Sequence, residues 1–142
     1  MPFALAQLAA RDMRAAGRGR IVMVSSISGL RGHARSIGYT TSKHALNGLV
    51  RATAQDIGAF GATCNAVCPA WVRTGMAEDS AAREARRDGT TVEAVWARRD
   101  ALYARRQALL PGEIAEVIAF LASDAASGVN GQTIAIDAGG QS

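Results

Sequence analysis

The sequence is poor in several residue types, and each shortage excludes a class of protein. Only 5% of its 142 residues are aromatic, and no apolar run is long enough to cross a membrane. In residues 1–14 the positive charge follows the apolar residues, the reverse of the order in a secretory signal. We therefore expect a cytoplasmic protein with no membrane partner. A hydrophobic content of 49% with 15 glycines is typical of an α/β protein, and the length predicts a single domain over residues 1–142.

Cysteine is also scarce, and its two copies lie close together in the stretch TCNAVCP. A zinc site needs about four ligands at suitable spacing, and no partners at such a spacing accompany Cys64 and Cys68. We therefore predict two buried, reduced thiols and no metal site.

The net charge of +4 raises the question of a nucleic-acid partner. Between Arg83 and Arg106, seven arginines face four acidic residues, an excess of +3. No nucleic-acid motif accompanies them. The pairs Arg98-Arg99 and Arg105-Arg106 are seven residues apart, which predicts one solvated helix face. We therefore expect no nucleic-acid partner.

Hydrophobic periodicity divides the chain into alternating helices and strands. Helices are predicted over 3–16, 39–59, 76–110 (broken at Asp88-Gly89, with a capping-box spacing from Thr90 to Glu93) and from Pro111 through PGEIAEVIAFLASD. Strands are predicted over 20–26, which reads as fully buried, over 62–68, and within QTIAIDAGG. The order α-β-α-β-α-α-α-β indicates βαβ units with a parallel sheet and flanking helices.

The only lysine of the chain, Lys43, lies four residues after Tyr39 in the stretch GYTTSK. On a helix these two residues share one face. A nearby ammonium favours the phenolate, so this spacing predicts a tyrosine that can exchange a proton near neutral pH. Arginine is less suited here, because lysine is a compact charge with three donors that can also bind a second partner such as a ribose hydroxyl.

Ser26 strengthens this interpretation through its position. It ends the predicted strand 20–26, and the segment CPAWVRT leaves the next strand at the same edge of the sheet. Ligands of open parallel sheets bind beyond the carboxyl ends of the strands. Ser26, Tyr39 and Lys43 would then converge on one crevice, where they could stabilise charge on a substrate oxygen.

The motifs together resemble the short-chain dehydrogenase/reductase (SDR) family over nearly the whole chain. GRIVMVSSISG is similar to the family's strand with the catalytic serine, YTTSK to its Tyr-x-x-x-Lys motif, and NAVCPAWVRT and the C-terminal FLASDAASGVNGQTIAIDAGG to later family segments. The resemblance implies NAD or NADP as cofactor, an alcohol or ketone as substrate, and a homo-oligomer, either a dimer or a tetramer. The site residues it implies are Ser26, Tyr39 and Lys43 for catalysis, Tyr39, Lys43, Pro69, Ala70, Val72 and Thr74 for the cofactor, and Ser26, Tyr39 and Trp71 for the substrate.

The sequence also departs from the family pattern. Ala70 and Ala138 stand where the family usually has glycine, which would strain a backbone needing positive φ. No Gly-rich cofactor turn follows a first strand. The resemblance therefore implies the C-terminal part of a Rossmann-like sheet, about three strands, in a truncated form. The strand at 20–26 would have an open edge, so we expect an oligomeric or poorly soluble chain.

Segment 71–110 is expected to act as a lid over the site. Its apolar lining would come from Trp71, Met76, Val95, Trp96 and Leu102, and Arg73 would lie near the crevice, where an anionic group is one candidate partner. The substrate would be a small to medium alcohol or ketone, with a 3-hydroxyacyl compound as one option. Two other functions stay open: an inactive family remnant that acts as an interaction module through helices 3–16 and 39–59, and a nucleic-acid binder.

Overall fold

The computed structural model describes residues 1–140 and contains a sheet of three parallel strands. These are β1 (Gly19–Val24), β2 (Ala62–Pro69) and β3 (Thr133–Ile136), in the spatial order β1-β2-β3. The helices are α1 (Pro2–Ala16), α2 (Ile37–Gly58), α3 (Gly75–Asp88), α4 (Val92–Asp100) and α5 (Pro111–Ala122). Short 3₁₀ turns span Ile27–Gly29 and Asp124–Ala126. The predicted order of helices and strands and the parallel sheet are confirmed.

The central strand β2 organises the two faces of the sheet. Every residue of β2 is buried, and successive side chains point to opposite faces. Cys64 and Cys68 pack with Val50 and Ile57 of α2 on one face. Val67 packs on the other face in a cluster that includes residues of α5. The sheet is therefore covered by α1 and α2 on one side and by α5 on the other.

Strand β1 differs from the prediction of a fully buried strand. It pairs with β2 from Gly19 to Val24 and has no second neighbour among residues 1–140. Most of its residues are therefore only half-buried, and Val24 is 52% exposed. The expectation of an open edge is confirmed, while the expectation of full burial for the strand at 20–26 is wrong; the fully buried strand is β2.

The segment from 76 to 110 forms two helices as predicted, but its last ten residues are not helical. Gly89 ends α3 with a left-handed φ of 63°, and Thr91, one residue later than the predicted cap, accepts a hydrogen bond from the Ala94 amide. Helix α4 ends at Asp100, whose carboxylate accepts a 2.7 Å hydrogen bond from the Ala108 amide. That bond draws the following residues into a turn, so the two predicted arginine pairs do not share a helix face.

Arg99 corrects the prediction of a solvated arginine face. Its side chain is only 4% exposed, whereas its neighbour Arg98 is 55% exposed. The Arg99 guanidinium lies 3.6 Å from the centre of the Trp71 ring and 5.1 Å from that of Trp96. It also donates a 2.8 Å hydrogen bond to the Glu84 carboxylate. Arg99 thereby joins α3, α4 and the chain after β2 into one unit.

Only some of the residues predicted to form the apolar lining of the lid are exposed to a ligand. Val95 and Trp96 are buried in the core of this unit, together with Ala81, Ala85 and Tyr103. Met76 and Leu102 are 77% and 54% exposed.

No helix among residues 1–140 is long and apolar enough to span a membrane.

Replacing Arg99 should destabilise the fold far more than replacing its neighbour. Arg99→Ala leaves Glu84 without its buried partner, and such losses cost about 3 kcal/mol. Arg98→Ala removes an exposed pair with the same Glu84 and should cost at most about 1 kcal/mol. Urea unfolding followed by circular dichroism measures both variants. Equal losses of stability would contradict this role for Arg99.

The two thiols should be unreactive in the folded chain. Both are free and fully buried, and burial raises the pKa of Cys64 to about 11, which keeps it protonated at neutral pH. A thiol reagent such as Ellman's should therefore label neither cysteine in buffer and both in denaturant. Rapid labelling of the folded chain would show that β2 is accessible.

Candidate functional site

Ser26 lies just beyond the carboxyl end of β1. The Ser25 amide donates a 2.8 Å hydrogen bond to the Val67 carbonyl, so the pairing with β2 continues past Val24. Ser26 then caps the 3₁₀ turn, and its Oγ accepts a 3.1 Å hydrogen bond from the Ser28 amide. This bond fixes the direction of the hydroxyl and leaves its own hydrogen able to donate to another acceptor.

Tyr39 and Lys43 lie on the first two turns of α2, as the sequence predicts. The Lys43 ammonium is 5.5 Å from the centre of the Tyr39 ring and donates a 3.0 Å hydrogen bond to the Val24 carbonyl. Tyr39 is 48% exposed, so a ligand can reach its ring. The same lysine therefore contacts the end of β1 and lies over the phenol, which joins the strand to the helix at this point.

A close contact between the Ser26 turn and α2 was missed by the sequence analysis. Asn47 is 1% exposed, and its Nδ2 donates a 2.9 Å hydrogen bond to the Gly29 carbonyl. A Cβ at Gly29 would lie 2.8 Å from both Asn47 Nδ2 and the Lys43 carbonyl oxygen, and 2.9 Å from Ser25 Oγ. Only glycine therefore allows this approach. We call the contact of residues 25–29 with Lys43 and Asn47 the turn clamp.

The turn clamp left a weak signal in the sequence. Asn47 follows Lys43 by four residues, as Lys43 follows Tyr39, so the three share one helix face. Asn47 is also an amide within the apolar stretch ALNGLV. A polar residue on a buried helix face needs a hydrogen-bond partner, and this could have pointed to it.

The segment that leaves β2 lies at the same edge of the sheet. The Ala70 amide donates to the Ile136 carbonyl of β3 at 3.0 Å, and the Trp71 amide donates to the Tyr103 hydroxyl at 2.8 Å. Thr74 caps α3 through a 3.4 Å hydrogen bond that its Oγ1 accepts from the Ala77 amide. The predicted cofactor residues Pro69, Ala70, Val72 and Thr74 are thus held in one continuous stretch between β2 and α3.

Arg73, in the same stretch, already has an anionic partner within the chain. It donates a 2.7 Å hydrogen bond to Asp100, and its guanidinium lies 3.9 Å from the centre of the Trp96 ring. These contacts fix Arg73 on the α4 side of the segment.

Comparisons with known proteins identify the family of the chain. A family model described as enoyl-(acyl carrier protein) reductase matches residues 2–141. The chain belongs to the short-chain dehydrogenase/reductase family. It is 40% identical over 131 residues to a cis-4-hydroxycyclohexanecarboxylate dehydrogenase of Sinomonas cyclohexanicum, covering 92% of this chain and 48% of that protein. It is 34% identical over 140 residues to short-chain dehydrogenase/reductase olcF of Penicillium canescens, covering 96% of this chain and 54% of that protein.

Solved SDR structures share the fold. An actinorhodin polyketide ketoreductase variant solved with NADPH superposes with a TM-score of 0.85 at 31% identity, covering 89% of this chain and 49% of that one. The Rossmann-like fold class is therefore confirmed. The chain spans about half the length of the curated relatives it matches.

The two alanines that replace the usual SDR glycines behave differently. Ala138 has a φ of 49°, in the left-handed region, as expected from its place in the motif. Ala70 is not among the residues with positive φ, so its methyl group causes no such strain. The concern raised by the sequence is thus correct for Ala138 and wrong for Ala70.

The turn clamp predicts a specific cost for a single methyl group. Gly29→Ala should destabilise the fold by about 1–3 kcal/mol, because backbone and side-chain atoms would have to move apart. Gly32→Ala is the matched control, since a Cβ there meets nothing within 4 Å. Thermal and urea unfolding compare the two variants. A Gly29→Ala chain as stable as the Gly32→Ala chain would contradict the clamp.

Proposed function

We propose that this protein is an NAD(P)-dependent SDR oxidoreductase that interconverts an alcohol and a ketone. One observation carries the proposal: Ser26 and the Tyr39-Lys43 pair lie at the carboxyl end of β1, and Lys43 is bonded to the Val24 carbonyl there. Family membership supports it, and so do the relatives named as dehydrogenases and reductases.

The residues at this edge fit a nicotinamide cofactor. Lys43 gives one hydrogen bond to Val24 and has two further donors, which suits the hydroxyl groups of a ribose. Pro69, Ala70, Val72 and Thr74 would border the nicotinamide. When bound, the cofactor supplies or accepts the hydride, and the protein supplies orientation and a proton path. The neighbour solved with NADPH supports this class of cofactor, and we propose either NAD or NADP.

Three side chains of this site have separate roles in the proposal. The Ser26 hydroxyl donates a hydrogen bond to the substrate oxygen, while its Oγ is held by the Ser28 amide. Tyr39 gives a proton to that oxygen in reduction and takes it back in oxidation. The Lys43 ammonium attracts negative charge on the phenolic oxygen and so favours the proton transfer. Trp71 borders the substrate.

The proposed substrate is a small to medium alcohol or ketone, and a 3-hydroxyacyl compound is one candidate. The Sinomonas relative is named for a hydroxycyclohexanecarboxylate. Secondary alcohols that carry a carboxylate are therefore a second candidate class of substrate.

A homo-oligomer, either a dimer or a tetramer, is the second part of the proposal. Phe3, Leu5 and Leu8 of α1 are 54–60% exposed, and a groove runs between α1 and α2. Exposed apolar side chains of this density are typical of interfaces. If the chain is inactive, the same surface favours the alternative function, an interaction module.

Two substitutions test the chemistry. Tyr39→Phe removes the proton donor and should lower turnover by at least about a hundredfold, measured from the absorbance of the reduced nicotinamide with a panel of ketones. Lys43→Arg keeps the charge but replaces a compact ammonium with a planar group, and should also lose most activity.

Thr41→Val is the matched control for both variants. Thr41 is exposed and lies on α2 between Tyr39 and Lys43. The Thr41→Val variant should keep its turnover within about threefold of the wild-type value, because surface substitutions usually have small effects. Near-normal turnover by the Tyr39→Phe variant would contradict the assignment of Tyr39 as the acid/base.

A further inference from the structure

The loop that joins the Ser26 turn to α2 carries two arginines and a histidine, and burial and the neighbouring Arg31 lower the pKa of that histidine, His33. Arg31, His33 and Arg35 occupy three of its positions, and the sequence has no aspartate or glutamate from residue 13 to residue 55. Because this loop begins shortly after Ser26 and ends shortly before Tyr39, it joins the two parts of the candidate site.

Arg31 has an unused donor. Its Nε is buried and has no hydrogen-bond partner among residues 1–140. A buried polar atom without a partner is costly. Arg31 also forms no salt bridge among these residues.

Arg35 is held in an unfavourable backbone conformation. Its φ is 62°, in the left-handed region that favours glycine, and strain of this kind concentrates at ligand sites. The side chain is exposed and forms no salt bridge within the described chain. Asp88 is close enough to feel its charge but already pairs with Arg87 at 2.7 Å and Arg98 at 3.6 Å.

The start of α2 adds to this positive potential. Its N-cap residue, Ser36, makes no side-chain bond to the helix amides, because its Oγ donates to the His33 carbonyl and contacts Thr40 Oγ1. The first amides and the helix dipole therefore favour an anion at this end.

Exposed apolar residues lie close to this loop in the sequence. Leu30, Ile37 and Val24 are 39%, 82% and 52% exposed. A ligand that satisfied both features would have a hydrocarbon skeleton next to an anionic group.

We propose that the loop of Arg31, His33 and Arg35 binds the carboxylate of the substrate, so that the enzyme acts on secondary alcohols or ketones whose hydrocarbon skeleton carries a carboxylate. This inference rests on the proposed function for its catalytic meaning. The binding of the carboxylate itself needs only the loop.

Ligand binding by the full 142-residue chain tests the proposal without catalysis. The probes are cyclohexanecarboxylate and its neutral counterpart cyclohexanecarboxamide, titrated into isotope-labelled protein and followed by amide chemical shifts. The wild type should bind the carboxylate about tenfold more tightly than the amide, since one charge-assisted contact is enough for that ratio. Arg31→Gln and Arg35→Gln should each remove most of the difference.

Arg51→Gln is the matched control, because Arg51 lies in the same acid-free region but on a later turn of α2. It removes the same charge and should leave the ratio within about twofold. Arg35 is exposed, so its replacement leaves the fold intact, and circular dichroism checks all three variants. Equal binding of the two probes, binding of neither, or an equal loss in Arg51→Gln would overturn the proposal.

The outcome is separable from that of the proposed function. Turnover of an alcohol panel with no preference for carboxylates would contradict this inference alone. Selective binding of the carboxylate by a chain that has no turnover on any ketone would contradict the proposed function alone.

Discussion

The contact between the Ser26 turn and helix α2 is the constraint on which the candidate site depends. Ser26 lies just beyond the end of a strand and Tyr39 lies near the start of a helix, and nine residues of loop and helix lie between Gly29 and Tyr39. Their relative position is fixed because Gly29 allows two backbone segments to meet and because the buried Asn47 amide bonds across the contact. Lys43 adds a second bond, from the helix to the Val24 carbonyl.

The other side of the site depends on a different interaction. The chain after β2 has little secondary structure of its own between Pro69 and Thr74. It is held by the Tyr103 hydroxyl, by backbone bonds to Leu109, and by the buried Arg99 guanidinium on the Trp71 ring. These contacts make residues 71–110 a packed unit, so any closure over a ligand would move the unit as a body.

Local signals were sufficient to predict most of the fold. Gly89 marks the end of α3 and Pro111 the start of α5 by their backbone preferences, and β-branched runs mark the strands, so the element order and the Tyr39-Lys43 face could be predicted. The loss of helix after Asp100 could not, because it depends on bonds to Ala108 and Arg73 that exist only in the folded chain. The burial of Arg99, the turn clamp and the partial exposure of β1 likewise depend on which elements become neighbours.

The central claim is that the carboxyl edge of β1 and β2 binds a nicotinamide cofactor beside Tyr39 and Lys43. The most direct measurement is a fluorescence titration of the purified chain with NADH and with NADPH. The account predicts saturable binding of at least one of them, with micromolar affinity. The absence of saturable binding for both, by a chain that circular dichroism shows to be folded, would contradict it.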